Sequence, residues 1–200
     1  MTETEMRSYF DLVQDKNNEP YFTQAEKYQF LNAAQMDFVN ELIGGNDIEN
    51  PSPLELDERS LRILEPLIES ETGLSDSSGL IAFSGLSETF LGLLAVDKGD
   101  TSEVYFYKWK DWYKASKNSY LKASAGVRGL YTYVSTGLKV LPASQSDWIV
   151  TYIKTPVDIA SGVDCELPES THYKIVAKAL EKAGVATEAE GLPVIEELTK

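Results

Sequence analysis

The chain contains one cysteine and one histidine, Cys165 and His172, and both fall in the stretch CELPESTHYKIVAKALEKAG, residues 165–184. A cysteine and a histidine can act as nucleophile and base. They need hydrogen-bond reach, a third group to orient the imidazole and donors for the developing oxyanion. A spacing of seven residues supplies none of these. Pro168 instead fits the first position of a helix, where its missing amide costs nothing, and Glu166 and Glu169 suit the positive end of that helix's dipole. From there His172, Ile175, Val176, Ala179 and Ala183 recur at helical period. The stripe turns His172 toward the core or a subunit contact and leaves Cys165 outside the helix. The stretch therefore reads as a helix start, and no catalytic residue is assigned.

No metal or cofactor site is expected either. One histidine and one cysteine cannot complete a structural zinc site within the chain, and the acids of DKGD, residues 97–100, are too few and too close for a calcium cage. The glycines at 79, 85 and 92 match neither a phosphate loop nor a dinucleotide fingerprint.

The densest chemical feature is YFYKWKDWYK, residues 105–114. Between Glu103 and Lys139 there are seven bases and two acids. Aromatic rings interleaved with lysines can stack on bases or sugars, and they also favour the buried centres of protein interfaces. Read as a strand, the run sends Tyr105, Tyr107 and Trp109 to one face and lysines to the other, which is how a sheet covers a core. Tyr105, Tyr107, Trp109, Trp112 and Tyr113, with His172, are the candidate residues for a subunit or partner interface.

The elements that must position these residues fall into an α+β order: N-terminal helices, a central antiparallel β module, a C-terminal helix and terminal arms. One domain over residues 1–200 is expected. It has a helical part at 1–75, an antiparallel β part at 80–160, the C-terminal helix at 165–184 and a tail or arm at 185–200. A short helix near Arg7–Gln14 comes first. YFTQAEKYQFLNAAQMDFVNELI is an amphipathic helix, opened by a Thr23/Glu26 capping box and closed at Gly44-Gly45. PSPLELDERSLRILEPLIES reads as a second helix, broken near Glu65 because Pro66 lacks an amide. Residues 45–53 and 71–79 are rich in turn formers and read as loops. From Phe90 the period becomes strand-like. FLGLLAV and SEVYFYKWK are expected to form a hairpin across DKGD, and GLYTYVSTGLKVLPASQSDWIVTYIKTP three further strands.

The net charge is −14, and it is uneven: residues 1–100 hold 20 acids and 6 bases, residues 101–200 hold 12 of each. A field of that sign keeps a protein soluble and repels phosphates, so sequence-specific nucleic-acid binding is not expected. The N-terminus MTETEMRSYF is acidic where a secretory signal needs a basic segment, and the most apolar stretch, GLIAFSGLSETFLGLLAV, is interrupted by polar residues. Neither export nor a membrane span is expected. A single cysteine allows no internal disulfide.

Taken in order, YQFLNAAQMDFVNELI, the Leu-Ser-Glu turn before TFLGLLAV, WKDWY, GLKVLPAS, WIVTYIKTPVDI and DCELPESTHYKIVAKAL resemble the head-to-tail connector (adaptor or ring) proteins of tailed bacteriophages, especially short-tailed and crAss-like phages. The resemblance covers about residues 22–184. It is most specific where VTYIKTP is followed by CELPES and an Ile-Val-Ala helix. It implies a virion structural protein made in the host cytoplasm and placed at the portal–tail junction. Such a protein forms a homo-oligomeric ring of about twelve copies. The ring binds the portal protein and other ring or tail proteins, and lines a conduit for passing DNA without sequence-specific binding. The competing reading of the same residues is a carbohydrate- or peptide-binding β module that uses the aromatic run 105–113.

Overall fold

The computed structural model describes residues 1–14, 22–44, 52–73, 75, 78–99, 103–118, 120, 123, 127–143 and 147–198, with side chains described as far as Gly184. The class is α+β, as the order of periods implies. Where one core was expected, the chain divides into two compact units, residues 1–42 with 156–200 and residues 43–155.

The first unit is helical: α1 (Glu3–Gln14), α2 (Gln24–Ile43) and α5 (Glu169–Leu198). The Thr23/Glu26 capping box forms, with the Thr23 amide donating to the Glu26 carboxylate at 2.7 Å and the Glu26 amide reaching the Thr23 hydroxyl at 3.4 Å. Gly44, at φ +78°, ends α2 in the left-handed conformation that glycine adopts without strain. The N-terminus is a packed helix and not an arm, because Met6 and Phe10 are fully buried and Tyr9 meets Tyr173 of α5 edge to face at 5.2 Å. Residues 156–168, which lead into α5, are tied to α2. Asn32 makes two hydrogen bonds to the backbone of Ile159, at 3.2 and 2.7 Å, and Gln35 donates to the carbonyl of Val157 at 3.0 Å. Ion pairs Lys178–Glu41 (2.5 Å) and Lys182–Asp37 (2.6 Å) join α5 to α2. The backbone of α5 runs on to Leu198, where a tail from 185 was expected. Alanine and glutamate favour helix, but Gly191 costs about 1 kcal/mol and Pro193 about 3 kcal/mol inside one, so propensity alone does not account for its last turns.

The second unit is a two-sheet structure with helical cover. Asp57 caps α3 (Glu58–Leu64), and a 3-10 turn at Glu65–Leu67 follows at Pro66, where the break was expected. The chain then leaves helix altogether. β1 (Ile68–Thr72) lies inside the region expected to be helical and pairs antiparallel with β7 (Trp148–Lys154). β3 (Phe90–Lys98) flanks the other side of β7, giving the order β1-β7-β3. The second sheet has the order β2-β6-β5-β4, with β2 (Leu80–Ala82), β4 (Glu103–Phe106), β5 (Arg128–Val134) and β6 (Gly137–Leu141).

Two expectations are corrected here. β3 and β4 form no hairpin, because they belong to different sheets, and of the DKGD turn Asp100 lies outside the described residues. β4 pairs with β5 in parallel, so the module is mixed rather than wholly antiparallel. Strand period reports which residues face inward. It does not report which neighbour supplies the hydrogen bonds.

The sheets share a core of Trp148, Val150 and Tyr152 of β7, Tyr131 of β5, Leu138 and Val140 of β6, alternate along their strands, and Leu93 and Val96 of β3, three apart across a register shift. Trp148 sits against Gly129, where an added Cβ would lie 2.8 Å from the indole. Gly137 opens β6 after a two-residue turn, and a Cβ there would come within 2.1 Å of the Ile81 carbonyl oxygen.

Candidate interaction surface

The aromatic run is two elements, not one strand. β4 stops at Phe106, the Tyr107 amide donates to the Tyr131 carbonyl at 2.9 Å, and Lys108 is the extended residue before α4 (Trp109–Lys117). The alternation of Tyr105, Tyr107 and Trp109 imitates a strand. What decides is the spacing of Trp112 and Ala115, three apart, which buries both on one side of a helix that packs against β5. Leu130 and Thr132, the fully buried residues of β5 that alternate with core-facing Tyr131, lie on its other side.

The consequence is a division among the expected interface residues. Trp112 is 7% exposed and belongs to the packing of α4; Trp109 at 61% and Tyr113 at 65% stand in solvent, one helical turn apart. Tyr105 is 40% exposed and Tyr107 is half-buried. His172 lies in the helical unit, buried, with its Nε2 2.8 Å from the Leu167 carbonyl oxygen. It packs inside that unit, one of the two placements its stripe allowed, and presents no surface for a subunit contact.

The exposed rings carry cations. The Lys117 ammonium lies 4.1 Å from the centre of the Tyr113 ring and hydrogen-bonds its hydroxyl, and the Arg128 guanidinium lies 5.3 Å over Tyr105. The Tyr105 hydroxyl donates to Glu103, and that bond to a carboxylate raises its pKa above the ordinary phenol value. Sequence reasoning missed Tyr120 and Val127, which are exposed beside Arg128, whose guanidinium donates to the Tyr120 carbonyl at 3.1 Å. An exposed tyrosine between polar residues carries no periodic signal. The surface is thus a set of exposed aromatic rings among lysines and Arg128, suited to covering by another macromolecule.

Cys165 shows the opposite character. It is buried, and burial pushes its thiol up to about 11, away from the thiolate that nucleophilic attack requires. Among the described residues no group of three histidine, cysteine or acidic side chains is placed to hold a metal ion, and no helix is long and apolar enough to cross a membrane. No protein-family model matches the chain, and no curated protein matches it.

Proposed function

We propose that this chain is a structural subunit of a tailed-phage virion, one of the rings below the portal that join capsid to tail and line the DNA conduit. The observation that carries the reading is the exposed Trp109–Tyr113 pair on a helix whose other side is packed: it is a prepared contact surface on a chain whose element order resembles connector proteins. A helical unit and a β unit give such a subunit separate surfaces for lateral and axial neighbours, and the acidic excess suits a wall past which DNA slides without sticking. The test is native mass spectrometry and particle imaging of the purified chain, alone and mixed with portal and tail proteins of its source. Rings, or stoichiometric complexes with the portal, are expected. A chain that stays monomeric at every concentration and binds none of them sinks the reading.

The same two exposed rings favour one competitor, a carbohydrate-binding surface, since sugars stack on solvent-facing tryptophan and tyrosine. Glycan-array binding that disappears in a Trp109→Ala/Tyr113→Ala variant would establish it in place of the connector.

A further inference from the structure

We propose that the α4 face and the β1 edge of the β unit are the two halves of one heterologous contact between copies of this chain, the α4 face of one copy receiving the β1 edge of the next. The proposal rests on the connector reading and names the partner of the surface described above.

The topology sets the geometry. β1 ends one sheet and β4 ends the other. β3, at the far side of the first sheet, packs beside β4. β1 is tied instead to the chain that follows β2, because Glu71 accepts from the amide and hydroxyl of Ser87 at 2.8 and 2.7 Å. β1 and β4 therefore lie at opposite edges of the packed sheets, and α4, which follows β4, covers the outer face of β5, away from β1.

The charges on the α4 face and the β1 edge are opposite too. Residues 103–117 hold Lys108, Lys110, Lys114 and Lys117 against Glu103 and Asp111, with Arg128 alongside. Residues 65–72 hold Glu65, Glu69 and Glu71 and no base, and the exposed Glu88 adjoins Ser87. Glu71 is spent on Ser87 and on the Tyr152 hydroxyl (2.6 Å), and Glu69 lies 3.9 Å from Lys154, which leaves Glu65 and Glu88 facing outward.

Charge also selects the symmetry. Two α4 faces repel, and two β1 edges repel, so neither makes a two-fold contact with itself. Between these two surfaces only the unlike pairing attracts, and a head-to-tail contact of that kind closes into a ring or runs on as a filament. The exposed rings of Trp109 and Tyr113 supply the apolar centre that charge alone would lack.

The test is a charge exchange. Lys110→Glu/Lys114→Glu leaves a copy acidic at both edges, and Glu65→Lys/Glu88→Lys leaves it basic at both. Each variant alone is expected to self-associate on the order of 100-fold more weakly than the wild type in sedimentation velocity. An equimolar mixture is expected to regain assemblies in which the variants alternate, and these must weaken as salt is raised. Recovery on mixing also shows that both variants are folded. Assembly of either variant alone at wild-type strength overturns the edge pairing and leaves the connector reading standing, as does failure of the mixture to recover when circular dichroism shows native folds. A wild type that never self-associates overturns the edge pairing, and the connector reading falls with it only when the chain also binds no portal or tail protein.

Discussion

The lone cysteine and the lone histidine are ordinary packing residues, and their burial has measurable consequences. The neutral thiol of Cys165 is held up to about 11 in the folded chain, against an ordinary value of about 8.5. A group raised on folding stabilises while pH is below its unfolded value, and the contribution disappears as pH climbs through the folded one. Tyr131, pushed up to about 12 by burial, and Tyr133, raised further for the same reason, act in the same direction. Thermal stability should therefore fall as pH rises from about 8.5 toward 12, with no matching loss in that range for a chain lacking these burials. Iodoacetamide should label native Cys165 slowly at neutral pH and quickly in denaturant, read by intact mass. Rapid labelling of the folded chain would contradict the buried thiol. At Gly129 the constraint is steric, since a Cβ meets the Trp148 ring at 2.8 Å and Val104 at 3.1 Å. Gly129→Ala should cost about 1–3 kcal/mol in urea unfolding. The helical stripe of residues 172–183 made the burial of His172 readable beforehand. The pocket between Gly129 and Trp148 was not readable, because the two residues are brought together only by packing of separate sheets.

Among the elements, the run 105–114 is the instructive one. Its alternation of aromatics fits a strand and its three-residue spacing fits a helix, and the choice falls at Lys108, where residues that continue as helix can bury Trp112 and Ala115 on β5. The two readings predict opposite mutants. Trp112→Ala should cost about 3–5 kcal/mol, whereas Trp109→Ala should stay within about 0.5 kcal/mol. Chemical denaturation with tryptophan fluorescence checks both, and a large loss at Trp109 would restore the strand reading. Gly137→Ala tests the edge of the second sheet: its Cβ would collide with the Ile81 carbonyl, so β2 should detach from β6 and expose Ile81 to hydrogen exchange, at a cost of about 1–3 kcal/mol. Capping signals and proline breaks were legible because they act within four residues, as Thr23/Glu26 and Pro66 show. β1 was not legible. Ile68–Thr72 carries two glutamates and is a strand because β7 offers it a ladder.

For the whole molecule, the β unit is one continuous stretch and the helical unit is assembled from both ends of the chain. A fragment of residues 43–155 should accordingly fold on its own, with near-ultraviolet dichroism from the buried Trp148 and a single cooperative transition; a fragment without fixed aromatic signals would show that this unit depends on the helices. The candidate surface was half legible. Its residue types and position could be read, since aromatics and lysines crowd one run of an acidic chain, but which rings face water depended on the turn from strand to helix at residues 107–108. By itself the sequence determined the α+β order, the periods of the main helices and strands, their caps and breaks, and the charge of each region. All of these rest on residues near one another along the chain. The tertiary structure alone decided the division into two units, the parallel β4–β5 pairing, the placing of β7 between β1 and β3, and the packing of the basic helix α4 on β5 rather than beside β1. Those depend on contacts between residues far apart in sequence, whose partners no local pattern names.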